Sequence, residues 1–165
     1  MRPQHASHSL RRRARILTAA AALALGGAAI TAAPAAAAGP NCANGNHCVF
    51  YTDIYSPKHS FFNSDHNFND DFFLEGPSNQ EGSGQIVDNN VWSASNSSTG
   101  GYESHYYDTY GGTYLFCVNP GHYANSHSWD DAETSARPNG GPLPDSLRQR
   151  ASALVLRGTT TKDCY

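Results

Sequence analysis

Residues 106–116 read YYDTYGGTYLF, and this stretch limits what the chain can become more than any other. Aromatic and branched residues favour a pleated surface, while glycine reaches the positive φ that a tight turn needs. The stretch therefore predicts a strand ending near Tyr107, a turn through Asp108, Tyr110, Gly111 and Gly112, and a second strand from Tyr114 to Val118. Gly112 is the expected hairpin glycine.

The same arrangement stands earlier as FYTDIYSPKHSFF, with Tyr51, Asp53 and Tyr55 placed as Tyr106, Asp108 and Tyr110 are. A second echo follows in the same order, VWSAS around Ser93 and RASAL around Ser152. Each echo is preceded by a breaker-rich loop, Gly76–Gly84 and Arg137–Pro144. Two ordered motifs at similar offsets predict a duplicated unit, about 42–100 and 101–165. Pro57 occupies the place that matches Gly112, so the first turn must be built differently.

Residues 1–38 read as an address. Arg11, Arg12, Arg13 and Arg15 precede an apolar, alanine-rich run, and Ala36–Ala38 offer a small-residue cleavage site. A cleaved signal peptide is expected, leaving one secreted domain over 39–165. Five of the eleven basic residues fall in the signal and all fourteen acids outside it, so the mature part is acidic. Sparse positive charge argues against nucleic acid or an anionic membrane as partner. A monomer is expected.

Cys42, Cys48, Cys117 and Cys164 all lie in the mature part, and an even count in a secreted chain predicts two disulfides. Three pairings are possible. The short flexible ANGNH segment makes Cys42 with Cys48 the first choice, which leaves Cys117 with Cys164. The C-x5-C spacing is not that of a zinc site.

Helical periodicity is nearly absent from 42 to 135, where short apolar runs alternate with Gly, Asn, Ser and Pro. That is the pattern of an all-β domain. Strands are predicted at Cys48–Tyr51, Ser60–Phe62, Phe72–Leu74, Gln85–Ser95, His105–Tyr107, Tyr114–Val118, near His122–Tyr123 and at Ala151–Leu156. Ser146–Arg157 has some helical character, and one helical turn at Ser146–Gln149 followed by a strand is expected.

Two units with Y-x-D-x-Y, a turn, an aromatic strand and a serine-bearing last strand resemble the βγ-crystallin Greek-key pair. A secreted domain opening C-x5-C and then FYTD is more closely similar to the bacterial peptidase inhibitor family I36. The resemblance covers Cys42 to Gly158. It implies a disulfide-stabilised sandwich of two Greek keys that inhibits an extracellular metalloproteinase. It further implies that Asp53 and Asp108 steady the folded hairpins, and that Ser93 and Ser152 tie the last strands to them. The family's mid-chain disulfide loop has no counterpart here, because Asn96–Ser104 lacks cysteine.

Crystallin-type calcium sites resemble two Asn or Asp, two other residues, then Ser or Thr and Ser. Asn89, Asn90 and Ser93 fit that pattern except at its last position, giving a weak candidate calcium site of hard oxygen donors. The second unit offers Arg148, Gln149 and Ser152, where arginine repels a cation. Asp130, Asp131, Thr134 and Ser135 match by letters only, too early in the repeat. No other cofactor is implied. His47, His59, His66, His105, His122 and His127 show no catalytic spacing and read as scattered surface groups, and neither H-E-x-x-H nor G-x-S-x-G occurs. The chain is therefore expected not to be an enzyme. Tyr123 and Trp129 in the loop Gly121–Trp129 are candidate partner contacts, as is Asn96–Ser104. The leading expectation is a secreted, non-catalytic peptidase-inhibitor-like protein. A calcium-binding structural or cell-surface protein is the alternative, and a small secreted hydrolase stands further off.

Overall fold

The computed structural model describes residues 38–126 and 141–165. Among them the chain is all-β, with a single 3-10 turn at Phe68–Asp70. The strands are β1 (His47–Phe50), β2 (Lys58–Phe61), β3 (Ser93–Asn96), β4 (Glu103–Tyr107), β5 (Tyr114–Val118), β6 (Tyr123–Asn125), β7 (Gly141–Pro142) and β8 (Ala153–Arg157).

One sheet runs β2-β1-β3-β6-β7 and the other β5-β4-β8. Every pairing is antiparallel except β6 with β7. In each sheet the first strand of a triplet lies between the second and the third, β2-β1-β3 and β5-β4-β8. β6 comes from the later part of the chain yet pairs with β3 of the earlier part. A return contact runs the other way, since Asp65 bridges Leu154 and Phe68 N–H donates to the Ser152 carbonyl.

The core follows the two-residue alternation of a strand. Val49, Ala94 and Ala124 of the first sheet share one buried cluster with Tyr106, Phe116 and Leu154 of the second. Intervening residues point the other way, and there Cys48 and Phe50 join Cys42 and Ile54 in a smaller cluster. Aromatic rings supply much of the interior, with Phe61 stacked on Phe68 at 4.8 Å and Tyr106 on Phe116 at 4.6 Å between centroids.

Both disulfides lie on outer faces. Cys42–Cys48 closes a separation of 6 residues and Cys117–Cys164 one of 47, so each terminal segment is fastened over a sheet. This is the pairing preferred from the spacing. Tyr165 then turns inward, its N–H donating to the Cys117 carbonyl at 2.9 Å.

Several expectations need correction. Phe72–Leu74 is no strand: Phe72 makes one bridge to Ile86, and the backbone around Gly82 and Gly84 curls at positive φ before a ladder can extend. Gln85–Ser95 narrows to Ser93–Asn96, because Asn90 N–H donates to the Val87 carbonyl and Asn89 takes φ 56°, closing a turn. The strand expected near His122–Tyr123 is present as β6, beginning at Tyr123. In the loop 137–144 expected to lack regular structure, Gly141–Pro142 forms β7, an edge strand beside β6. At 144–149 the N–H groups of Leu147 and Arg148 both reach the Pro144 carbonyl, and β8 follows.

Candidate functional site

The two Y-x-D-x-Y motifs differ in register. Trp92 N–H donates to the Phe50 carbonyl as Ser152 N–H donates to that of Tyr107, so Phe50 matches Tyr107. Tyr106, paired with Leu154, therefore sits where Val49 does, paired with Ala94, and not where Tyr51 does. Tyr106 is wholly buried, whereas Tyr51 lies half-buried, edge-on to Phe73 and against the Gly82 backbone. Similar letters were placed one ladder step apart, and period-two alternation hides such a shift because it preserves facing.

The acids act locally. Asp53 Oδ1 accepts from the Tyr55 N–H at 2.7 Å, while Asp108 Oδ1 accepts from the Thr113 N–H at 2.7 Å. Burial would raise the Asp108 carboxyl, but the Thr113 and Thr109 contacts and Arg150 hold it below the usual range. The positive-φ residue of that hairpin is Gly111, at 77°. Gly112 is required for another reason: a Cβ there would run into Thr109 and Asp108. Tyr55 and Tyr110 are exposed, and the Tyr110 ring stacks on His66 at 3.6 Å. Tyr55 borders a shallow cleft of about 360 Å³ with Ile54, Lys58 and Glu75.

Ser93 and Ser152 both reach the hairpins, by different atoms. The Ser93 hydroxyl donates to the Thr52 carbonyl at 2.5 Å and accepts the Ser126 N–H at 2.8 Å. Ser152 uses its backbone N–H, 2.8 Å from the Tyr107 carbonyl, and its hydroxyl turns to Asn89 Oδ1 at 3.4 Å. Of the calcium candidates, Asn90 folds its amide onto the Ile86 and Asp88 carbonyls. Asn89 donates to Asp88 Oδ2 at 2.8 Å. The Ser93 hydroxyl is turned to Thr52. Arg148 pairs with Asp145 and lies 6.0 Å over the Trp92 ring. Trp129, His127, Asp130, Asp131, Thr134 and Ser135 lie outside the described residues. Tyr123 is half-buried against the cluster of Cys42, Phe50 and Ile54, which makes it mainly a packing residue.

The connection from β3 to β4 is built tightly. Asn96 is buried, and its Nδ2 donates to the Tyr102 and Val118 carbonyls, each at 2.8 Å. Its Oδ1 accepts the Ser98 N–H at 2.8 Å, and the Ser98 hydroxyl accepts the Tyr102 N–H at 3.1 Å. Gly101 at φ 74° closes the tip. One amide thus braces a short loop whose outer residues, Thr99 to Tyr102, are exposed.

Two histidines are not surface groups. His47 and His105 are buried. His47 Nδ1 meets Ser104 Oγ at 2.6 Å, and burial lowers its pKa to about 4. His105 Nε2 meets Glu103 Oε2 at 2.7 Å, and Glu103 also accepts from the Thr160 N–H and hydroxyl. Burial would raise the Glu103 carboxyl, but the His105 and Thr160 hydrogen bonds outweigh it and hold the group ionised below its usual range. The acid and histidine two apart in ESHYY were the available signal, since residues i and i+2 of a strand share a face. Their burial depends on β4 being central and covered by the C-terminal segment, which no local pattern announces. Burial does not put these groups in an open pocket, and neither pair borders the cleft beside Tyr55.

Comparison with family models, curated proteins and solved structures gave no match.

Proposed function

We propose that the chain is a secreted, non-catalytic binding protein of the βγ-crystallin-like, peptidase inhibitor I36 type, acting on an extracellular peptidase. On this reading residues 1–38 are a signal peptide, and the domain is a sandwich of two Greek keys. The repeated order β2-β1-β3 and β5-β4-β8, with β6 crossing to the other sheet, supports the duplicated architecture. Two disulfides suit an oxidising compartment. Among the described residues no helix is long and apolar enough to cross a membrane.

The observation that carries the functional half is the loop braced by Asn96. An inhibitor gains affinity when its contact loop is ordered before binding, because the ordering entropy is then not charged to association. In this chain the bracing amide does what a disulfide does in a cysteine-closed loop. Tyr102, 49% exposed at the tip, has the amphipathic ring that interface hot spots favour. The test is residual activity of a panel of secreted metallo- and serine peptidases incubated with purified protein. Inhibition of at least one, weakened about tenfold or more by Tyr102→Ala, is expected. No inhibition at micromolar protein ends this reading.

A calcium-binding structural role is the second reading, favoured by one atom. Asp88 Oδ1 is buried without a hydrogen-bond partner, beside Asn89 and Asn90. A rise in Tm with calcium, lost in Asp88→Asn, would support it; an unchanged Tm would remove it.

A further inference from the structure

We infer that the outer face of β4 holds a latent zinc site, formed when the Cys117–Cys164 bond is reduced. Glu103, His105, Cys117 and Cys164 each present one donor atom, and these atoms all lie within 4.8 Å of one another. All four residues are buried. A tetrahedral zinc ion with two thiolates, one imidazole and one carboxylate sets its donors roughly 3.5 Å apart, so the two sulfurs must part, the His105–Glu103 hydrogen bond must open and the wider separations must close by about 1 Å.

The strands place the set. His105 pairs directly with Cys117 across β4 and β5, and Glu103 lies two residues along on the same face. Cys164 arrives from the C-terminal segment, which Thr160 fastens by its two hydrogen bonds to Glu103. Outer partners suited to a metal are already present. Thr160 orients the carboxylate, and the Tyr114 hydroxyl donates to Cys117 Sγ at 2.9 Å, a contact that stabilises thiolate charge. Lys162 Nζ lies 4.3 Å from the Tyr114 ring, adding positive potential near a site whose ligands sum to three negative charges.

The chemistry balances with an external dithiol. It reduces the protein disulfide to two thiols and is itself oxidised to a cyclic disulfide. Zinc then displaces one proton from each thiol, releasing two protons per ion. His105 binds through a ring nitrogen that carries no proton, as any imidazole ligand must.

The experiment uses the full chain carrying Cys42→Ser and Cys48→Ser, so that Cys117 and Cys164 are its only thiols. The protein is unfolded, reduced with dithiol, and refolded by dilution without oxygen in the presence of cobalt(II). The expected result is one cobalt per chain, with sulfur-to-metal charge-transfer absorption, intense visible bands of a tetrahedral ion, and displacement by zinc. His105→Ala and Glu103→Gln should each weaken binding by more than about tenfold. Circular dichroism should show that zinc restores or maintains the β signal of the reduced chain. Absence of the charge-transfer band overturns the inference. So does binding that is unchanged in both variants, which would be capture by two thiols alone, or a reduced chain that stays unfolded with zinc present.

Discussion

His47 on β1 and Ser104 on β4 meet between the two sheets, Nδ1 to Oγ, at 2.6 Å. The contact joins strands that share no ladder, at a depth where a charged imidazole would lose its hydration.

That depth has a pH signature. Burial depresses the folded pKa of His47 to about 4, against an ordinary value of 6.5. Between those values the unfolded chain binds the proton and the folded chain does not. The contribution is therefore complete above the unfolded pKa and is lost as pH falls towards 4. The two values imply a loss on the order of 3 kcal/mol across that window. Urea unfolding at neutral and acidic pH should show it, and His47→Asn should flatten the dependence while lowering stability at neutral pH.

The two disulfides should differ in worth. A crosslink stabilises partly by shortening the unfolded chain's reach, and more so when it closes a longer loop. Cys117–Cys164 spans 47 residues and Cys42–Cys48 only 6. Replacing both cysteines of the longer bridge by serine is expected to cost about 4 kcal/mol, and of the shorter about 2 kcal/mol. Denaturant midpoints of the two double variants check the order, and equal losses would contradict it.

Asn96→Ala removes two donated hydrogen bonds and one accepted bond, leaving the Tyr102 and Val118 carbonyls and the Ser98 N–H without their side-chain partner. The expected cost is about 3 kcal/mol. Hydrogen exchange should accelerate at Ser98 and Tyr102 before it does in β1 or β4. Any peptidase inhibition should weaken with it, since the loop would then be ordered only on binding.

Gly82 and Gly84 offer a paired comparison. Both take positive φ, but a Cβ at Gly82 would enter the Tyr51 ring, whereas one at Gly84 meets nothing within 4 Å. Gly84→Ala should cost about 1 kcal/mol, from backbone strain alone. Gly82→Ala should cost about 3 kcal/mol, because Tyr51 must leave its place as well. Near-equal midpoints in urea would contradict this packing.

The all-β class, most of the strands and the presence of two disulfides were legible in the sequence, because aromatic runs, breaker clusters and an even cysteine count are readable without the fold. The Cys42–Cys48 pairing was the first choice of three, resting on its short spacing. The register was not. Tyr51 and Tyr106 share a motif, yet the ladders put Tyr106 level with Val49, and only pairing partners far along the chain decide that. Phe72–Leu74 read as a strand because it is a short aromatic run between breaker-rich segments, but an apolar run does not supply a partner edge, and only Phe73 of the three is buried. The Asn96 brace was hidden in an unremarkable NSSTGG run, since its value lies in the Tyr102 and Val118 carbonyls being within reach. Glu103 and His105 were readable as letters; their burial required knowing that the C-terminal segment lies across β4.

The placement of the two disulfides also sets how the domain would carry tension. A pull between the chain ends would enter β1 across the Cys42–Cys48 bridge and leave by Cys117 to Cys164. Residues 118–163 would then form a slack loop outside the loaded path, β6, β7 and β8 included. Stretching would have to strip β3 from β6 and β4 from β8, but the extension gained on rupture would be that of the segment between Cys48 and Cys117.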